Sequence, residues 1–169
     1  GTVVLLTFAI PFLSIDFGMP DDSSMPTNLS QQQAFVLMNE GFGQGVNAPL
    51  IVVASVPGAT AATLPVTLQQ LTTELGVGKP AGTVAGVQYA VGPIPNAAGD
   101  AAIYQVIPSS GPNANETQTL VSNLRKGIKA ETAGTNIEAY VGGTTATLID
   151  LTELVVKYLL YVVGAVVLG

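Results

Sequence analysis

The stretch from Val84 to Ile107, VAGVQYAVGPIPNAAGDAAIYQVI, holds two alternating apolar runs around a turn. VAGVQYAV (Val84–Val91) and AAIYQVI (Ala101–Ile107) alternate as half-buried strands do. Between them, GPIPNAAGD supplies the Gly, Pro and Asn of a loose hairpin loop. A helix is predicted on each side. Upstream, Thr60–Leu75 spaces Leu64, Leu68, Leu71 and Leu75 as one apolar stripe, and Pro65 limits where that helix begins. Downstream, Asn115 to about Ala130 turns Leu120, Val121, Leu124 and Ile128 inward. Glu116 falls in its first turn and Lys126 and Lys129 in its last, as the helix dipole favours. One step further out lie two more strands. LIVVASV (Leu50–Val56) is a continuous β-branched run, expected to be buried on both faces, and NIEAYV (Asn136–Val141) is short and alternating.

The order is therefore strand, helix, strand, strand, helix, strand. That is the split β-α-β, or ferredoxin-like, arrangement of the α+β class, with about four strands and two to three helices. Both leucine-striped helices are expected to cover one face of an antiparallel sheet. A further helix precedes this unit. Gln31–Phe42 places Ala34, Phe35, Met38 and Phe42 on one face, with Ser30 as its N-cap and Gly41 or Gly43 as its stop.

Only 9% of the 169 residues are charged and 48% are hydrophobic, against about 25% charged in ordinary globular domains. Much of the apolar surplus sits at the two ends. GTVVLLTFAIPFL (Gly1–Leu13) has no charge, and VVKYLLYVVGAVVLG (Val155–Gly169) has Lys157 alone. Each run is shorter than the roughly 20 apolar residues of a spanning helix. We read both as truncated ends of membrane helices rather than as buried core segments. The expected organisation is a membrane-helix end over residues 1–13, an outer domain over 14–152, and the start of the next membrane helix over 153–169. The intervening domain then begins and ends on one side of the bilayer. Acids outnumber bases 11 to 5, which fits the extracytoplasmic side.

The residue inventory excludes much chemistry. With no histidine and no cysteine, Ser–His and Cys–His nucleophiles and zinc–histidine sites are absent. We expect no enzyme, no catalytic residue, no cofactor and no metal. Asp21 and Asp22 offer too few oxygens for calcium. Gly41-Phe42-Gly43-Gln44-Gly45 lacks the Lys-Ser/Thr of a phosphate loop and follows a helix. A net charge of −6 argues against nucleic acid as a partner. The glycine pair Gly142 and Gly143 has two readings: a strand-to-helix corner that needs glycine geometry, or a hinge between the domain and the following helix.

Two segments resemble a known family. PDDSSMPTNLSQQQAFVLMNEGFGQGVNAPLIVV carries a Pro20–Asp21 loop, a helix with Phe35 near its middle, a Phe42–Gly45 turn and an Asn47–Leu50 strand entry. VGGTTATLIDL (Val141–Leu151) is similar to a Gly-Gly-Thr segment that enters a membrane helix. Together they resemble MMPL-type transporters of the resistance-nodulation-division superfamily, in the outer porter domain of the second repeat. The resemblance implies a proton-driven exporter of hydrophobic or lipid-like molecules in a bacterial cell membrane, with this domain lining the substrate path beside a sister porter domain. The family's energy-coupling groups lie in helices outside this chain, so Asp150 and Glu153 are read as acids at the start of an interfacial helix. The alternative is an outer interaction or assembly module of a non-transport or secretion-accessory membrane protein. By size alone the middle region has core enough to fold. A version trimmed to about Ser14–Thr152 is expected to be soluble with dispersed amide NMR signals; persistent aggregation would contradict this.

Overall fold

The computed structural model describes residues 25–168. The apolar run 1–13 and the loop acids Asp21 and Asp22 lie outside the described residues. In chain order the elements are α1 (Ser30–Phe42), a 3-10 turn (Gln44–Asn47), β1 (Leu50–Ser55), α2 (Leu64–Thr67) and α3 (Gln69–Glu74). They continue with β2 (Val87–Pro95), β3 (Ala101–Pro108), α4 (Asn115–Thr132), β4 (Glu138–Gly142) and α5 (Thr144–Leu168). The strands form one antiparallel sheet in the order β2-β3-β1-β4. This is the split β-α-β arrangement: each crossover, α2–α3 and α4, spans one strand position. The hairpin between β2 and β3 closes on Asn96, whose side-chain oxygen accepts the backbone N–H groups of Gly99, Asp100 and Ala101.

Both crossovers cover the same face. Leu64, Leu68, Leu71 and Leu75 from the first, and Leu120, Val121, Leu124 and Ile128 from the second, join Leu50, Val52, Tyr104, Val106 and Val141 in one core. Each buried side chain of this size stabilises the fold by about 1.5–3 kcal/mol. Thr117, also buried, is satisfied locally: its hydroxyl lies 2.7 Å from the Gly111 carbonyl and 2.7 Å from Ser110 Oγ.

Several expectations need correction. β1 is buried on one face only: Leu50, Val52 and Ala54 point inward, while Val53 is exposed. The leucine stripe of Thr60–Leu75 is buried as expected, but two short helices carry it, broken at Leu68. Pro65 takes the first turn of α2, where its missing N–H costs nothing. β2 starts later than expected, at Val87, and continues through Pro95, so GPIP belongs to the strand. Leu29, not Ser30, is the N-cap of α1, and no side chain caps it. The helix itself is where it was expected, none of its residues is buried, and Gly43 ends it. α4 extends to Thr132, which leaves Lys129 but not Lys126 in its last turn.

Five α-helices are described where two to three were expected, because of the split crossover, α1 and the final helix. α5 runs unbroken through residue 153, where the second domain boundary was expected. Among the described residues, no helix is long and apolar enough to cross a membrane.

Tyr104 lies at the centre of the core face with no exposed surface. The Thr72 hydroxyl lies 2.8 Å from the Leu68 carbonyl and 2.9 Å from the Tyr104 hydroxyl, and the shared hydrogen bonds fix α3 on the sheet. Burial pushes the phenol's pKa above its ordinary value of 10.0, and the bond to Thr72 offsets this only in part. A raised folded-state pKa gives stability that is present below the unfolded phenol's pKa and lost as pH rises beyond it. Thermal midpoints are therefore expected to fall as pH rises above about 10, and Tyr104→Phe to flatten that fall. An equal fall in the variant would show that Tyr104 is not its cause.

Candidate functional site

The sheet has two unlike faces. Opposite the core, registered pairs align Ile94 with Ile103, Ile103 with Val53, and Val53 with Tyr140. These four side chains make one apolar row across all four strands. With strands about 4.8 Å apart, the row is about 14 Å long. Exposure along it runs from 42% at Val53 to 71% at Tyr140. The partly exposed Tyr89 and Val91 extend it toward the start of β2. Glu138, at one corner, is the only charged residue the four strands contribute. Single exposed apolar side chains are ordinary, but a contiguous apolar row marks a surface that meets something apolar.

The end of this face nearest Pro108 is closed by the Phe42–Gly45 motif. Gly45 is buried against the Pro108 carbonyl, and a Cβ at this position would overlap that carbonyl. Asn47 then ties the turn to α1, donating to Asn39 Oδ1 at 2.7 Å and to the Phe35 carbonyl at 3.3 Å. Gln88 of β2 donates to the Phe42 carbonyl at 2.9 Å. The Phe42–Asn47 segment is thus a joint that seats α1 at the edge of the bare face.

A second joint connects the sheet to α5. Gly142 ends β4 opposite Ile51 and has ordinary room: a Cβ there would stand 3.8 Å from the nearest backbone oxygen. Gly143 differs. Its φ is +109°, and a Cβ would lie 2.7 Å from the Pro49 carbonyl oxygen and 3.2 Å from Leu50 Cα. It is packed as a corner against the start of β1. α5 begins immediately beyond, with Thr145 and Ala146 buried.

One ion pair fastens the same junction. Arg125 of α4 forks onto Asp150 of α5, at 2.7 Å through Nη1 and 2.9 Å through Nη2, and Nη2 also donates to the Val141 carbonyl of β4 at 3.4 Å. The carboxylate accepting these bonds raises the guanidinium's pKa further, so the cation is permanent. Both side chains are partly exposed, which holds the pair to under about 1 kcal/mol of stability. What it fixes is position: α4, β4 and α5 meet at one side chain. The expectation for Asp150 and Glu153 therefore changes. α5 starts at Thr144, so both acids lie beyond its first turn, and Asp150 is an ion-pair partner.

The bare face escaped the sequence reading because apolar β-branched residues look alike on either face of a strand. The Arg125–Asp150 pair escaped it because nothing local links two residues on different helices. The glycine pair Gly142 and Gly143, a corner or a hinge by sequence, lies at the junction with α5.

Membrane protein YdfJ of Bacillus subtilis (strain 168) is similar to this chain, 29% identical over 151 residues. The matched part is 89% of the chain and 19% of that protein, so the chain spans about a fifth of the length of this relative. The similarity fits a membrane-associated chain. No protein-family model matches the chain.

Gly143→Ala is expected to lose about 1–3 kcal/mol of stability from backbone strain and crowding, while Gly142→Ala changes it by under about 1 kcal/mol. Denaturant melts of the two variants compare them directly, and equal losses would contradict the corner geometry.

Proposed function

We propose that this chain is the extracytoplasmic domain of a bacterial membrane transporter that exports hydrophobic or lipid-like molecules, and that the bare sheet face forms part of the substrate path. The apolar row Ile94–Ile103–Val53–Tyr140 carries this reading. An apolar molecule leaving a bilayer needs a surface that receives it without charge, and this face has one carboxylate, at its corner. The resemblance to MMPL-type porter domains and the likeness to a named membrane protein support the same reading. A sister porter domain would face the row and close the path. The proton gradient would act in membrane helices outside this chain, and no catalytic step falls to the domain.

In this reading α5 continues toward the membrane. Its side chains from Leu154 to Val156 are exposed and apolar, as suits a helix about to enter lipid. Movement of α5 would reach the sheet through Gly142 and Gly143. Because Gly143 is wedged against Pro49 and Leu50 and Asp150 is held by Arg125, the junction would pass on a rigid displacement more readily than it would bend.

The second reading, an interaction module that covers the same face with a protein, is favoured by Tyr140. A tyrosine exposed at 71% on an apolar face is a frequent anchor of protein interfaces.

The two readings separate in cells expressing the chain within its full reading frame and loaded with an apolar fluorescent dye. Ile103→Lys and Val53→Lys leave the core untouched, so stability should change by under about 0.5 kcal/mol. Dye efflux is expected to drop about tenfold or more, while Thr119→Lys, on the exposed side of α4, leaves it unchanged. Normal efflux with a lysine in the row would rule out the path; loss of a co-purifying protein instead would favour the interaction module.

A further inference from the structure

The sheet has two edges, and they are protected very differently. An unpaired edge strand presents a row of free N–H and C=O groups that another chain can join, and proteins usually blunt it with proline, bulges or charge. β2 is blunted: it contains Pro93 and Pro95 and its pairing with β3 shifts register twice. β4, Glu138–Gly142, has no proline, no bulge and no basic residue, and pairs on one side only, with β1.

The direction of its main chain follows from one contact. Arg125 reaches the Val141 carbonyl from α4, so that carbonyl faces away from β1. Antiparallel pairing points both main-chain groups of a residue the same way and repeats every second residue. The outward groups are therefore the N–H and C=O of Ala139 and the N–H of Val141. Beside them runs a groove whose floor is the consecutive residues Ile137 to Val141 and whose wall is α4, with Arg125, Ile128, Lys129 and Thr132 at helical spacing. A free strand edge beside a helix wall is the geometry by which extended peptides are captured as an added strand.

We propose that the β4 edge is a peptide-docking site: an extended segment of a partner polypeptide adds to the sheet beside β4, with apolar residues alternating toward the half-buried Ile137 and an acidic side chain at Lys129. The charges select this occupant. Arg125 is committed to Asp150, and Glu138 closes the far corner. Lys129 has no ion-pair partner among the described residues and faces the groove. A second copy of this chain fits less well. Two β4 strands joined about a two-fold axis put both α4 helices on one side of the sheet and set each Lys129 against the other helix's cations. The edge borders the bare face at Glu138 and Tyr140 but offers main-chain groups rather than apolar side chains, so this site stands whether or not an apolar substrate passes over the face.

The test uses the full 169-residue chain, labelled with 15N in detergent micelles. The probes are two synthetic peptides of about eight residues alternating valine and threonine, one ending in glutamates and one in lysines. The acidic peptide is expected to shift the amides of Ala139 and Val141 and to slow their hydrogen exchange about tenfold or more. The basic peptide should bind about tenfold more weakly, and Lys129→Glu should reverse that order. Ala139→Pro, which removes an outward N–H and no ladder bond, should abolish the acidic peptide's effect. If that variant fails to fold, Lys129→Glu, an exposed substitution, still decides the question. Absence of shifts at Ala139 and Val141 with either peptide to about 1 mM would overturn the proposal. So would protection of those amides that depends on protein concentration without peptide, which would assign the edge to a second copy.

Discussion

The one-sided burial of β1 governs the rest of the molecule. Leu50, Val52 and Ala54 point into the core, and Val53 between them points to solvent. The central position of β1, between β3 and β4, passes this choice to both neighbours, since paired residues share a face. Tyr104 and Val106 follow the inward set; Ile103 and Tyr140 follow the outward one. Each helical crossover then has one available face to cover, and both take it. A register slip of one residue would exchange the two sets and put Tyr104 in water, so the bare face is fixed by the same pairing that builds the core.

How much of this was readable depended on how local the signal was. The leucine stripes and the alternation in Ala101–Ile107 are set within a few residues, and the split β-α-β order followed from them directly. The break at Leu68 arises where a four-residue helix opening on Pro65 meets α3, a detail of turn geometry that the stripe does not encode. Burial of Leu50–Val56 on both faces was expected because Ile51 and Val53 are as apolar as Val52. What keeps Val53 in solvent is that both crossovers settle on the opposite face. α1 forms where its apolar spacing predicts a helix, yet none of its residues is buried. Of the candidate site, the glycine pair and the Phe42–Asn47 motif were visible as patterns. Their reasons, Pro49 behind Gly143 and Pro108 behind Gly45, are contacts between residues distant in sequence.

Three elements converge on Arg125, and this gives the domain a defined relation to α5. The guanidinium bonds Asp150 and the Val141 carbonyl, Gly143 packs on the first residues of β1, and Thr145 and Ala146 are buried beneath. The exposed ion pair adds little stability, but together with the packed corner it leaves few ways for α5 to tilt without moving β4 and β1. Those strands hold Tyr140 and Val53, half of the apolar row. A displacement of the helix is thus a displacement of part of the face, by contact alone.

A substrate path over that face requires the face to stand outside the bilayer's cytoplasmic side. The chain has no cysteine, so single cysteines at Ile103, on the bare face, and at Asn123, on the exposed side of α4, can be read without background from this domain. A membrane-impermeant thiol reagent added to intact cells expressing the full reading frame measures their sidedness. Labelling at Asn123 in intact cells, with slower labelling at Ile103 behind the sister domain, is the expected result. Labelling of both only after the membrane is opened would place the domain on the cytoplasmic side and contradict the account.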